Sequence, residues 1–239
     1  MDHARREAGA EVDRVLADDP ELGEARATRG IILTFLEWDH PAAERELWRA
    51  TELSPGYATA HQWYGQFLSA HGDGARGLGE LDLALDLDPL SPAVNEGRGL
   101  ALYHLDRTDE AVSQLRTTLD LDPRFWRARL GLALCHAADG DLRAATDELV
   151  LLWSAGGYGG TVVEAEEAEK RLARDVYDAL EHLLDCTRTR IGKVSVIRVV
   201  EVILLMLLAR HDEAVGSLEA AYDDRSLACV ATMYAPVLD

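Results

Sequence analysis

The sequence predicts an all-α protein built from a repeating helical hairpin. Two observations carry that reading: a proline period near 34 residues, and an alternation of amphipathic stretches with short polar breaks. Prolines preceded by acidic or polar residues stand at Pro20 (ADDP), Pro55 (ELSP), Pro89 (DLDP) and Pro123 (DLDP), spaced by 35, 34 and 34 residues. Within the periods, two stretches with helical spacing of apolar residues flank a break, GDG at 72–74, DRTD at 106–109 and DGD at 139–141. Such breaks stop one helix and cap the next.

Taken in order, residues 1–22 read as the second helix of a hairpin, with Ala8, Val12, Val15 and Leu16 on one face before Pro20. Residues 23–157 hold four hairpins. The first needs one inserted residue near WDH and then supplies Gly30, Ala43, Leu47, Ala50 and Pro55. The second, from Ala58 to Ser91, has Gly65, Leu68, Leu81, Ala84 and Pro89; the third, from Pro92 to Phe125, has Gly99, Leu102, Ala111, Leu115 and Pro123. The fourth, from Trp126, has Ala133, Ala145 and Leu149 but no closing proline. Gly or Ala belongs where two helix backbones approach closely, and the leucines fill the space between hairpins. SAGGYGG at 154–160 reads as a loop or hinge, 158–193 as a degenerate helical unit, and 194–239 as a final hairpin with a tail, in which HDEA at 211–214 repeats TDEA at 108–111.

The small, leucine and proline positions of residues 23–157 resemble the tetratricopeptide repeat. That resemblance implies a right-handed α-solenoid of about six helical hairpins, one of them degenerate, with first helices lining a concave surface that binds proteins or peptides. Carried onto this sequence, it selects Thr59, Gln62, Gln66 and Ser69 in one unit, Glu96, Tyr103 and His104 in the next and Arg127 in the third, and of these Gln62, Gln66, Tyr103, His104 and Arg127 are expected to form the peptide-binding groove. The Lys and Asn with which some members clamp a terminal carboxylate are missing from these positions. Three phrases, WDHPAAERELWRATELSPGYATAHQWYG, LDLDPLSPAVNEGRG and AYDDRSLACVATMYAPVLD, are similar to the C-terminal repeat arms of bacterial signalling proteins, where such arrays follow winged-helix, kinase or cyclase domains.

Composition narrows the function further. The 239 residues carry 24 Lys and Arg against 43 Asp and Glu, a formal charge of −19, which disfavours nucleic acid and anionic membranes as direct partners. The apolar stretch from Val194 to Ala209 contains Arg198 and Glu201 and falls short of the ~20 residues a span requires, so it is expected to form a buried helix. Cys135, Cys186 and Cys229 form no CxxC pair and point to a reducing cytoplasm. The histidines are scattered, without HExxH or ligand spacing along a helix. The acidic LDLDP runs read as solvated helix ends, and Arg188, Arg190 and Lys193 as a basic helix terminus. No catalytic residue, cofactor or metal is assigned. The expected function is a protein- or peptide-binding scaffold. The alternatives are a sensory or self-associating regulatory arm, and an enzyme with a pocket near 154–193.

Overall fold

The computed structural model describes residues 2–156, 160–191 and 197–223. All regular structure among them is helical: α1 (Asp2–Asp18), α2 (Gly23–Ile32), α3 (His40–Leu53), α4 (Ala58–Ala70), α5 (Gly74–Leu87), α6 (Pro92–His104), α7 (Thr108–Leu121), α8 (Trp126–Ala138), α9 (Leu142–Ser154), α10 (Val162–Leu172), α11 (Val176–Arg188), α12 (Ile197–Leu207) and α13 (His211–Asp223). The chain divides into two compact units, Met1–Leu105 and Asp106–Asp239. Residues 157–159 of the glycine-rich stretch, Lys193, Cys229 and the tail beyond 223 lie outside the described residues.

In the first unit, α2 pairs with α3 and α4 with α5, and α1 lies along α2, where Arg29 bridges to Asp13 (2.9 Å). The inserted residue near WDH is absorbed as a π turn, Leu33–Glu37, that continues α2. Trp38 then takes a left-handed backbone (φ 61°), and the Asp39 N–H donates to the Leu33 carbonyl at 3.1 Å. One extra residue in a turn widens the helix without shifting the register of α3.

Hairpins close through small residues. A Cβ added at Gly65 would sit 2.7 Å from the Gly77 carbonyl oxygen and 2.7 Å from Leu81 Cγ, and one at Gly30 would sit 2.5 Å from Leu47 Cγ. Leu47, Leu81, Leu115 and Leu149, one per hairpin at a spacing of 34, are all fully buried. Each contributes about 1.5–3 kcal/mol by leaving water. Tyr64 is buried within a cluster that includes Leu33, Leu47 and Phe67, while its half-buried neighbour Trp63 packs against that cluster from outside, as expected for adjacent helix positions about 100° apart.

A polar clamp recurs with the same period. The residue six places after each proline donates to that proline's carbonyl: Arg26 Nε to Pro20 (2.8 Å), His61 Nε2 to Pro55 (3.1 Å), Asn95 Nδ2 to Pro89 (3.1 Å) and Arg129 Nη2 to Pro123 (3.5 Å). Three of these side chains also reach a carboxylate on the second helix of their own hairpin. Arg26 meets Glu46 at 2.8 Å, His61 meets Glu80 at 2.7 Å and Arg129 meets Glu148 at 3.2 Å. Glu46, Glu80 and Glu148 stand on one 34-residue ladder, with Gln114 occupying its third place in the sequence.

Polar breaks cap helices where they supply an aspartate. Asp39, Asp73 and Asp141 accept from the backbone N–H of Ala42, Arg76 and Ala144. The DRTD break does not follow suit: Arg107 stands at the cap of α7, and no side chain closes it.

In the second unit, α8 pairs with α9, α10 with α11 and α12 with α13. Thr161 and Glu164 form a reciprocal capping box at the start of α10. The apolar stretch near 200 forms α12, whose Val200 and residues Val202–Leu205 are buried. Among the described residues no helix is long and apolar enough to cross a membrane.

Gly77 and Gly79, both inside α5, therefore carry opposite predictions. Nothing lies within 4 Å of a Cβ at Gly79, so Gly79→Ala should raise stability by about 0.5–1 kcal/mol. Gly77→Ala should lower it by about 1–3 kcal/mol, because the new Cβ strikes the Gly65 carbonyl. Urea midpoints of the two variants give the signs directly. The clamp predicts a third value: Glu80→Ala, which strands His61 Nδ1, should cost about 1–3 kcal/mol in the same measurement.

Candidate functional site

The five groove residues fall on first helices, in two places. Gln62 and Gln66 lie one turn apart on α4, which packs beside α6, and Tyr103 and His104 close the C-terminal end of α6. Arg127 is on α8 of the second unit. Gln62 is 9% exposed; Gln66, Tyr103, His104 and Arg127 are half-buried. The rings of Tyr103 and His104 stand 5.9 Å apart at 54°.

Gln66 is seated against α6 by a glycine. A Cβ at Gly97 would come within 2.8 Å of Gln66 Nε2 and 3.2 Å of its Cγ. Nε2 is buried and has no hydrogen-bond acceptor among the described residues. A buried amide donor left in this state costs about 1–3 kcal/mol.

Tyr64, next to this surface, is committed to the fold. Arg76 donates to its hydroxyl (2.8 Å) and lies over its ring at 5.9 Å from the centroid. Burial raises the phenol above its ordinary value, against the opposing pull of Arg76.

The basic cluster at the end of α11 is spent on carboxylates. Arg188 donates to Glu201 (3.0 Å) on α12 and to Glu213 (2.9 Å) on α13, and Arg190 donates to both Glu164 oxygens (2.7 and 2.6 Å) and to the Cys186 carbonyl (2.6 Å). Glu201 is 5% exposed and also accepts from Ser217 Oγ at 2.6 Å. Arg210 completes the network by bridging Glu181 (2.9 Å) and Glu213 (2.6 Å).

Both described cysteines are unreactive in character. Burial pushes the Cys135 thiol up to about 12, and burial followed by the Glu164 charge pushes Cys186 up to about 11. Among the described residues no group of three or more His, Cys, Asp or Glu side chains is placed to hold a metal ion.

The sequence reading missed two histidine arrangements. His61 is a clamp residue, visible only once the position six after each proline is compared across periods. His71 meets His40 across 31 residues, with Nε2 of the first 3.2 Å from Nδ1 of the second. Separation along the chain hides that pair. Burial, and next the charge of His71, holds His40 below its ordinary value.

Comparison with known proteins agrees with this architecture. The family model of the tetratricopeptide repeat matches residues 65–115 and 96–153. Among solved structures the chain is similar to PilW, described as a widely conserved type IV pilus biogenesis factor, at 24% identity and a TM-score of 0.55 over 71% of this chain and 86% of that one. It is also similar to Pseudomonas aeruginosa PilF, at 19% identity and a TM-score of 0.58, over 85% and 92% of the two chains. YrrB, described as a TPR protein with an unusual peptide-binding site, aligns at 18% identity and a TM-score of 0.51, over 70% and 84%. At these identities the likeness is one of fold. No curated protein matches the sequence significantly.

The arginine network predicts an acid response. Bonds from Arg210 and then Arg188 hold the Glu213 carboxyl well below the usual carboxylate range, at about 2. A depressed carboxylate contributes stability above its unfolded-state pKa and loses it as the pH falls through the folded value. This contribution is therefore complete at neutral pH and disappears between the ordinary range and about pH 2. Carbon-detected NMR titration should find Glu213 ionised down to about pH 2, and Arg210→Met should move it back toward the ordinary range.

Proposed function

Because residues 65–153 carry tetratricopeptide repeats, we propose that this chain is a protein- or peptide-binding scaffold whose first helices present the recognition surface. Gln62, Gln66, Tyr103 and His104 are its contact residues in the first unit, and Arg127 is its contact residue in the second. The observation that carries the reading is Gln66. Its carboxamide lies against Gly97 and its buried Nε2 has no acceptor among the described residues, so this first-helix side chain is a polar group that no hydrogen bond of the fold accounts for. The peptide-binding site named for YrrB supports the same class of ligand.

The reading is non-catalytic. The raised thiols of Cys135 and Cys186 make poor nucleophiles at neutral pH, and both are free, which suits a reducing cytoplasm. An extended segment is the favoured ligand form, since the first helices α2, α4 and α6 pack side by side within the first unit.

The test is capture of partners from a native lysate on the immobilised full chain, with captured proteins identified by mass spectrometry. The double change Gln66→Ala with Tyr103→Ala should deplete the specific partner while melting temperature and helicity stay near those of the parent. Capture should depend only modestly on salt, because Arg127 is the one Arg, Lys, Asp or Glu among the five contact residues. Capture that survives the double change but is lost on neutralising Arg188 and Arg190 would move the contact surface to the second unit.

A further inference from the structure

His40 and His71 occupy a position where the repeat itself asks for something else. His40 opens α3 and His71 follows α4; one period later the same two places hold Gly74, which opens α5, and Leu105, which follows α6. There a Cβ at Gly74 would meet Leu105 Cδ2 at 2.8 Å, so the ordinary contact is a leucine lying over a glycine. Packing alone does not call for two imidazoles.

Both rings are held. His71 stacks on Phe67, with centroids 4.0 Å apart and planes at 22°, and His40 meets Phe67 edge-on at 6.4 Å and 82°. His71 Nδ1–H donates to the Phe67 carbonyl at 2.7 Å. That bond places the lone pair of the neutral ring on Nε2, the atom 3.2 Å from His40 Nδ1. A carbonyl acceptor on the far nitrogen is the support that metal-ligating histidines use to fix tautomer and direction. Two nitrogens on one tetrahedral zinc, each at 2.0–2.1 Å, lie about 3.3–3.4 Å apart. The pair is within a few tenths of an ångström of that separation.

We infer that His40 Nδ1 and His71 Nε2 form a two-ligand site for a borderline divalent transition-metal ion such as zinc, its remaining positions filled by water or by a group from another molecule. Without metal, His40 Nδ1–H donates to His71 Nε2. On binding, the His40 proton moves to its own Nε2, so two neutral rings present two lone pairs and no net proton is released. His71 is exposed and His40 half-buried, which leaves the ion an approach from solvent. This inference stands independently of the scaffold reading.

Calorimetric titration of the full chain with zinc chloride tests it. One equivalent should bind, and His71→Leu, which installs the residue of the next repeat, should weaken binding by at least about tenfold without lowering the metal-free melting temperature. His40→Ala should do the same to affinity, whereas His211→Ala, at an exposed position on α13, should leave it unchanged. Imidazole NMR of the parent protein gives a check that needs no variant: zinc should shift the His40 and His71 resonances first. No zinc binding by the parent, unchanged affinity in His71→Leu, or first shifts at other histidines would overturn the site.

Discussion

The fold turns on what happens to a carbonyl group just after each proline. In the loop between hairpins that oxygen has no helical donor, yet it must be satisfied before the next helix can pack close by. Arg26, His61, Asn95 and Arg129 each donate to it from the first turns of the following helix. In three hairpins the same side chain continues to Glu46, Glu80 or Glu148 on the second helix. One residue thereby ties a loop, a first helix and a second helix together. The buried leucines supply more energy, since each is worth about 1.5–3 kcal/mol while a net hydrogen bond is worth about 1 kcal/mol. Apolar contact is non-directional, however, and tolerates sliding. The clamp fixes the angle and height at which the helices cross, and the close approach of Gly65 to Gly77 depends on that crossing.

The parts legible in the sequence are those whose cause is local. Period, helix count in residues 23–157 and small crossing positions all follow from residues that act on their own turn or their own hairpin. Even the inserted residue near WDH leaves a local trace, because a π turn accepts it in place. Clamp residues were harder to read for a chemical reason. Arg, His and Asn share only the ability to donate, so their column does not look like one residue type repeated. The DRTD break shows the opposite failure: it resembles its aspartate-capped counterparts in composition, yet Arg107 occupies the capping position. Gly77 and Gly79 are alike in composition too, and only their separation by two helical positions, about 200° around the axis, tells a crossing residue from a solvent-facing one.

Candidate site residues divide along the same line. Helical register places Gln62, Gln66, Tyr103 and His104 on neighbouring helices, which spacing alone can indicate. That Gly97 seats Gln66 cannot be read from spacing, because it depends on two hairpins meeting. The basic residues near 190 mislead in a different way. In a chain with 43 acidic residues against 24 basic ones, an exposed arginine seldom lacks a carboxylate within reach. Arg188, Arg190 and Arg210 accordingly bind α10 through α13 to one another, beyond the last proline of the 34-residue period. Charged pairs there take over positioning that the clamp performs earlier in the chain.

In the proposed reading, this division of labour leaves recognition to first-helix positions outside four structural columns. Proline, clamp, crossing and leucine positions are each fixed by a contact whose loss costs stability, so their chemistry cannot vary freely to suit a partner. The first-helix positions 62, 66, 103 and 104 carry Gln, Gln, Tyr and His, groups that offer hydrogen bonds and contact area with little charge. Around them the chain has a formal charge of −19. Long-range attraction and repulsion therefore come from the acidic surface, which turns away polyanions and speeds the approach of cationic partners. In the proposed reading, affinity at short range comes mostly from these uncharged contacts. On that same reading, screening by salt acts on the rate of encounter more than on the lifetime of the complex, because the contact groups other than Arg127 are not the groups that generate the field.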